Sequence, residues 1–429
     1  MTTSPPSPLG SISASASTPW RSGLLIAFSK ASADITWWVW AVFALVVAIR
    51  TAMHPEKNSV SACYRGACAA WWNGREMYDD LWNGFIYLPH AAIAYTPFYS
   101  MPLWLGESLY RVLIIWLMAW AVWRLTRLVS RRGWNEYFFA VSGITIGVGA
   151  GNAINGQYNL PLAATLILAT CCLIERRWWI AAIWLAISIL LKPIAIAPVL
   201  LALALYPALW WRFPVIGAAL FFVPFLFSVR DLGYAWSEYQ TFWETVVRAT
   251  LPLARRFAEF STVLFWFGLD LDNMQRTICR AVAALVTLAL GWQALRRHGG
   301  FRGGLILWAL GVSYLMIFNP RTEGLTYVLV APALALFGAM EFEGERSPLW
   351  RRAVGLALLA MGILMIFVHE LMPRSGAYHE MAQGSKDLLV RPIMTMVFYA
   401  WLAWLALVDG RETSSLPAGQ ITQAARSSP

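Results

Sequence analysis

Residues 109–129 read L-Y-R-V-L-I-I-W-L-M-A-W-A-V-W-R-L-T-R-L-V, an apolar run long enough to cross a lipid bilayer as one helix. The whole chain carries 59% hydrophobic and only 13% charged residues, about half the charged share of a soluble domain. The sequence therefore predicts an all-α polytopic membrane protein. Four arginines at the end of this run mark its cytoplasmic side, and they are Arg124, Arg127, Arg131 and Arg132.

Further apolar segments on both sides of this run predict a bundle of about 12 transmembrane helices. Several are shorter than the ~20 residues that a perpendicular helix needs, so we expect these to lie partly inside the bundle. The predicted spans are residues 35–51, 109–129, 137–150, 160–174, 178–191, 193–209, 213–228, 276–295, 303–318, 325–340, 353–369 and 389–408.

The arginine content of the connections predicts the topology. Connections with an excess of arginine favour the cytoplasm, which puts both termini inside a multi-pass protein of the cell membrane. Composition predicts disordered tails at residues 1–34 and 409–429 around a transmembrane domain at 35–408. The connections predicted to be extracytoplasmic are residues 52–108, 151–160, 192–193, 229–260, 319–324 and 370–391, of which 52–108 and 229–260 are long loops.

Charge and cysteine content exclude several classes of function. The net charge is +10 and the pI about 9.6, but the arginines lie in short loops and form no basic patch with aromatics, so we expect no nucleic-acid partner. The five cysteines lack metal-ligand spacing, so we expect no metal site. Cys63 and Cys68 could pair if their loop faces an oxidising compartment. Residues 64–72 look amphipathic, which suggests a helix along the membrane interface.

Three polar stretches fall on the predicted extracytoplasmic side. Residues 151–161 read G-N-A-I-N-G-Q-Y-N-L-P, Lys192-Pro193 is enclosed by apolar sequence, and residues 319–323 read N-P-R-T-E. Amides and cations near hydrocarbon usually meet water or a ligand. The alternatives are a solvated loop, a lysine that snorkels to the interface and a surface ion pair between Arg321 and Glu323. Together the stretches indicate a cavity for a phosphate and a polyhydroxylated group.

Gly156-Gln157-Tyr158-Asn159 with Lys192-Pro193 about 33 residues later resembles the G-Q-x-N … K-P pattern of family 87 glycosyltransferases. These are enzymes of the GT-C fold that use polyprenyl-phosphate sugars, and the phosphatidylinositol mannoside mannosyltransferase is the best-known type. Three other stretches resemble elements of the same family: Trp72–Tyr78, Phe85–Pro89 and Asn319–Tyr327.

The resemblance implies a membrane hexosyltransferase with its active-site cavity at the extracytoplasmic side. It would move a mannose-like hexose from a polyprenyl-phosphate donor to a lipid or glycan acceptor among the membrane lipids, with no cofactor and no nucleotide sugar. Lys192 would neutralise the donor phosphate with help from Arg321, and Gln157 and Asn159 would bind the donor. The implied substrate-binding residues are Tyr87, Asn155, Gln157, Asn159, Lys192, Asn319 and Arg321.

The general base is where the chain departs from the family. The family's aspartate in the first external loop aligns with Ser59 and Val60, neither of which can take a proton from an acceptor hydroxyl. The base has then moved, or Glu323 takes this role, or the protein binds a sugar-lipid without transferring it. The candidate bases are Glu56, Asp79, Asp80 and Glu323.

The competing class is a transporter of a lipid-linked or anionic substrate. Transporters often contain two halves with matching broken helices, and no such internal repeat occurs in this chain. Another GT-C transferase would carry an acidic pair early in its first external loop, and Asp79-Asp80 comes too late for that. Both comparisons favour the family 87 interpretation.

Overall fold

A computed structural model describes residues 19–57, 59–78, 84–131, 137–250, 257–343, 348–371 and 387–408. Within these residues the chain forms helices and contains no strand. The α-helices are α1 (Pro19–Met53), α2 (Ser61–Trp72), α3 (Pro89–Tyr99), α4 (Leu103–Ser130), α5 (Phe138–Asn155), α6 (Asn159–Ile174), α7 (Trp178–Leu191), α8 (Ile196–Leu205), α9 (Arg212–Phe221), α10 (Val223–Leu226), α11 (Leu232–Thr250), α12 (Phe260–Trp266), α13 (Asn273–Phe318), α14 (Ala331–Glu343), α15 (Leu349–Leu371) and α16 (Asp387–Leu407). Three short 3₁₀ helices cover Pro193–Ala195, Pro207–Leu209 and Gly324–Leu329.

The all-α multi-pass prediction is confirmed. Among the described residues, seven helices are long and apolar enough to cross a membrane, and α6, α7 and the Pro193–Leu205 segment are shorter apolar helices. A helix overlaps each of the twelve predicted spans, but the number of crossings stays a prediction. The seven long candidates are Ser32–Met53, Leu103–Ser130, Phe138–Asn155, Pro207–Leu226, Asn273–Phe318, Leu349–Val368 and Leu388–Leu407.

Two predicted spans join into the 46-residue helix α13, which bends at Gly299. Gly299 has φ +67°, a left-handed conformation that glycine adopts without the penalty a Cβ would bring. The bend lies in the arginine-rich residues 296–302, between two predicted spans. Residues 276–295 therefore belong to one arm of α13 and residues 303–318 to the other.

The centre of the bundle is α6, in which every residue is buried. It packs against α4 on one side and α7 on another. An apolar helix of 16 residues needs no exposed face when neighbouring helices surround it. As a consequence, the polar residue at its first position, Asn159, also lies inside the protein.

The N-terminal region differs in detail from its sequence-based description. Helix α1 begins at Pro19 and so extends into the segment predicted as a tail, whereas residues 1–18 and 409–429 lie outside the described part. Helix α2 has one face packed against the protein, on which Tyr64, Cys68 and Trp71 are fully buried, and its position along the membrane interface stays a prediction. Cys63 and Cys68 are free thiols in this structure.

Candidate functional site

The turn between α5 and α6 folds the amide cluster onto itself. Helix α5 ends at Gly156, whose φ of +67° is left-handed, and the Gln157 N–H donates to the Asn152 carbonyl at 3.0 Å. Glycine at this position is a common helix terminator because it has no Cβ to clash. The reversal brings Asn152, in the last turn of α5, beside Asn159 at the start of α6.

Three amide side chains then form one hydrogen-bonded network. Asn159 Nδ2 donates to Asn152 Oδ1 at 3.1 Å and to Gln157 Oε1 at 2.8 Å. Asn152 Nδ2 donates to the Leu325 carbonyl at 2.8 Å. Because Asn152 and Asn159 are fully buried, these bonds satisfy groups that would otherwise cost about 1–3 kcal/mol each.

Lys192 joins this network from the far end of α7. The backbone becomes extended at Lys192 (φ −155°, ψ +119°), as expected for a residue that precedes a proline. Its Nζ donates to Asn159 Oδ1 at 2.8 Å. Burial lowers the pKa of Lys192; the charge of Glu323 opposes this shift, and that of Arg321 adds to it. Lys192, Arg321 and Glu323 therefore share one electrostatic environment.

A tight turn shapes the third polar stretch. Asn319 ends α13, and its Nδ2 donates to Thr322 Oγ1 at 3.2 Å, while Thr322 Oγ1 donates to the Asn319 carbonyl at 3.1 Å. The Thr322 carbonyl accepts a bond from Ala258 N–H at 2.8 Å. The guanidinium of Arg321 lies 5.5 Å from the centre of the Phe257 ring. Asn319 thus shapes this turn with its own side chain.

A group of tyrosines borders the network. Tyr87 lies in a tilted contact with Tyr158, with ring centres 5.0 Å apart, and its hydroxyl accepts a bond from the Tyr64 hydroxyl at 3.4 Å. Burial raises the pKa of Tyr87, and the nearby Glu323 charge adds to the shift. The charge of Glu323 therefore acts on the Tyr87 hydroxyl at the edge of the network.

A buried ion pair on α4 contacts the α5–α6 turn. Arg111 and Glu107 on α4 are each 1% exposed, and Arg111 Nη1 lies 2.7 Å from Glu107 Oε2. Arg111 Nε donates to the Ile154 carbonyl at 2.9 Å, and Nη2 donates to Ser59 Oγ at 2.9 Å. Glu107 also accepts bonds from the hydroxyls of Ser61 and Tyr95. One arginine thereby ties the first loop to the amide turn.

The structure brings most of the predicted binding residues together. The hydrogen-bonded network contains Gln157, Asn159 and Lys192. The charge of Arg321 acts on Lys192. Asn319 holds the adjoining turn, and Tyr87 lies at the edge of the network. Asn155 contacts the first loop through its backbone carbonyl, which accepts a bond from Val60 N–H at 3.0 Å.

Among the candidate bases in the described residues, Glu323 is the one whose charge acts on Lys192. Glu56 is exposed in the turn that follows α1, and it has no contact with the network among the described residues. Asp79 and Asp80 lie outside the described residues. The described part of the chain also contains no group of three or more His, Cys, Asp or Glu side chains that could hold a metal ion.

Several buried carboxylates were not predicted from the sequence, among them Glu107 and Glu238. Glu107 with Arg111 has the i,i+4 spacing of a helical ion pair, but the predicted span began only at residue 109. Glu238 on α11 is 3% exposed, and its Oε2 accepts a bond from Met77 N–H at 3.3 Å. Burial raises the pKa of Glu238 to about 7. No spacing rule would have identified its partner 161 residues away.

Comparison with known families gives one result. The model of glycosyltransferase family 87 matches residues 85–320, more than half of the 429-residue chain. The matched range contains the amide cluster, Lys192 and Asn319, and it ends just before Arg321 and Glu323. No curated protein matches the chain.

Proposed function

The chain belongs to glycosyltransferase family 87, and we propose that it transfers a mannose-like hexose from a polyprenyl-phosphate donor to a lipid-linked or cell-envelope acceptor on the extracytoplasmic face of the cell membrane. The observation that carries this proposal is the contact between the Lys192 ammonium and Asn159 Oδ1 at 2.8 Å. It joins the Lys192 side chain to the amide network, and in this proposal the donor phosphate binds there.

Lys192 is the proposed phosphate ligand. One of its three N–H groups is used by Asn159, which leaves two for phosphate oxygens. Arg321 supplies a second positive charge in the same environment. When the bond between the sugar C1 and the phosphate oxygen breaks, negative charge grows on the phosphate, and these cations stabilise it.

The amides have different proposed roles. Both Nδ2 hydrogens of Asn159 are used by Asn152 and Gln157, so Asn159 acts as a positioning residue for Lys192. Gln157 accepts a bond through Oε1, and its Nε2 donates to no protein atom among the described residues. Gln157 is therefore the amide proposed to bind donor hydroxyls, with Tyr87 beside it as an aromatic surface for the sugar.

Glu323 is the proposed general base. The acceptor hydroxyl oxygen attacks the sugar C1, its proton passes to the Glu323 carboxylate, and polyprenyl phosphate leaves with the bonding electrons. The support for Glu323 over the other candidates is its shared environment with Lys192 and Tyr87.

The test is hexose transfer by purified protein in liposomes, with labelled polyprenyl-phosphate mannose or glucose as donor and a total lipid extract as acceptor. We expect Lys192→Met to lower transfer by about 10²–10³-fold, the typical loss when one group that stabilises transition-state charge is removed. Lys57→Ala removes an exposed lysine outside the site and should retain native activity. Equal activity of Lys192→Met and Lys57→Ala would refute the phosphate role of Lys192.

A second set of variants tests the base. Glu323→Gln should lower transfer by about 10²–10⁴-fold without weakening donor binding. Glu56→Gln, Asp79→Asn and Asp80→Asn serve as parallel variants, and a comparable loss in one of them with native activity in Glu323→Gln would transfer the role to that residue.

The second candidate function is binding of a sugar-lipid without transfer. It is favoured by Ser59 and Val60 at the positions where the resemblance implies an aspartate. Donor binding by the native chain without any labelled product would support it. Absence of both binding and transfer with either donor would favour a transporter.

A further inference from the structure

Helix α11, Leu232–Thr250, presents three different faces. The first face is buried against the protein and anchors the helix. Glu238 Oε2 accepts a bond from Met77 N–H at 3.3 Å, and the Tyr234 hydroxyl donates to the Arg75 carbonyl at 2.7 Å. The buried residues of this face are Tyr234, Ala235, Glu238, Phe242 and Thr245.

The second face is apolar and exposed. Trp236 is 51% exposed and Trp243 is 67% exposed. Residues spaced by four and seven positions lie on one side of an α-helix, so these side chains form a continuous strip. The apolar strip consists of Leu232, Trp236, Trp243 and Val247.

The third face is polar and exposed. At 3.6 residues per turn, the buried face, the apolar strip and the polar face lie about 120° apart around the helix axis. A helix on the surface of a soluble protein needs only a buried face and a polar face. The polar face consists of Ser237, Gln240, Glu244 and Arg248.

The apolar strip follows a candidate membrane span whose own surface is mostly exposed. Only 11% of the apolar window in Pro207–Leu226 is buried, and Leu226, at its end, is 79% exposed. Five residues separate Leu226 from the start of α11, so the helix begins close to the end of this candidate span. The Tyr239 hydroxyl donates to the Phe221 carbonyl at 2.7 Å and fastens the helix to the same span.

We propose that α11 lies flat in the interfacial layer of the bilayer, with the apolar strip against phospholipid acyl chains and the polar face against water. Tryptophan favours this depth because its ring is apolar and its indole N–H is polar. Lipid contact along the strip would hold α11 at a fixed height. Through Glu238 and Tyr234, it would also hold the first external loop at the membrane surface, where a lipid acceptor arrives.

The test measures the depth of single nitroxide labels in liposomes. Cysteines replace Trp236 and Trp243 on the strip and Gln240 and Glu244 on the polar face, with Leu226→Cys as a reference in the bilayer. The partly exposed Cys63 and Cys279 are changed to serine in the full chain. Collision with dissolved oxygen reports acyl chains, and collision with a water-soluble nickel chelate reports water.

We expect strip labels to lie about 5–10 Å below the phosphate level, with oxygen collisions dominant, and polar-face labels to collide mainly with nickel. Equal nickel access on both faces would overturn the proposal. Shielding of the strip from both reagents would also overturn it, because it would indicate a second copy of the chain. If a tryptophan variant is not monodisperse in detergent, Leu232→Cys and Val247→Cys probe the same strip. The readout does not depend on transferase activity.

Discussion

Replacing Arg111 with methionine should strongly destabilise the protein. The change removes the partner of Glu107, a carboxylate that is 1% exposed. Breaking a buried ion pair from one side costs about 3–5 kcal/mol. The Ser61 and Tyr95 hydroxyls still donate to Glu107, and Arg65 Nη1 lies 3.8 Å away, so the lower end of that range applies. Loss of the bond to the Ile154 carbonyl adds about 1 kcal/mol.

We therefore expect Arg111→Met to lower the free energy of unfolding by about 3–4 kcal/mol. The assay is denaturant-induced unfolding in mixed micelles, followed by the labelling of Cys68 and Cys171, which are free and buried in the folded chain. The double variant Arg111→Met with Glu107→Gln removes the stranded charge. Its amide oxygen accepts from one of the two hydroxyls, and its amide N–H donates to the oxygen of the other. The double variant should recover most of the loss.

The matched control is Arg177→Met. Arg177 is 53% exposed and its Nη1 lies 3.9 Å from Glu175 Oε2, a surface pair worth about 0–1 kcal/mol. The reasoning is refuted if Arg111→Met costs no more than Arg177→Met. It is also refuted if the double variant is as unstable as the single one, because the loss would then come from packing and not from an uncompensated charge.

Two further predictions concern the network and α11. Asn159→Leu removes the acceptor of the Lys192 ammonium and the donor to Asn152. It should therefore weaken binding of polyprenyl phosphate and lower the free energy of unfolding by about 2–4 kcal/mol. The control Asn155→Leu, on the same turn, should leave stability nearly unchanged, and equal losses of the two variants in thermal unfolding would contradict the network. Burial raises the pKa of Glu238 to about 7, so the folded state holds its proton more tightly than the unfolded chain. The contribution of Glu238 to the free energy of unfolding is therefore full below the ordinary glutamate pKa and is lost as pH rises to about 7, by up to about 1.4 kcal/mol per pH unit. Hydrogen exchange of residues 76–78 measures this pH dependence, and Glu238→Gln should abolish it.

The class of fold could be predicted because membrane spans are local features. Length, apolar composition and flanking arginines suffice to find a helix such as α4, since its backbone must satisfy its own hydrogen bonds in lipid. The position of Glu107 and Arg111 could not be predicted in this way. Both lie at the start of α4, and their burial depends on the first loop folding back onto the bundle, which is a tertiary event.

The proximity of the polar stretches could be predicted for a different reason. Alternation of the spans predicts that the amide cluster, Lys192 and the 319–323 turn share one side. In the structure Lys192 bonds to Asn159, and Asn152 bonds to the Leu325 carbonyl just after that turn. What the sequence could not reveal is how each amide is used. Gln157 and Asn159 carry the same amide group, so the sequence does not distinguish their roles. In the structure both N–H donors of the Asn159 amide bond to other amides of the network.

The 33-residue interval between Asn159 and Lys192 has a geometric explanation. Helix α6 has 16 residues and α7 has 14, which at 1.5 Å per residue gives about 24 Å in one direction and about 21 Å in the other. The hairpin therefore returns the chain to within about one helical turn of its starting level, where Lys192 Nζ meets Asn159 Oδ1. An inserted or deleted residue in α7 would rotate Lys192 by about 100° around the helix axis and break that contact. The two short motifs thus form one structural unit, because the lysine reaches its acceptor only when both helices keep their length.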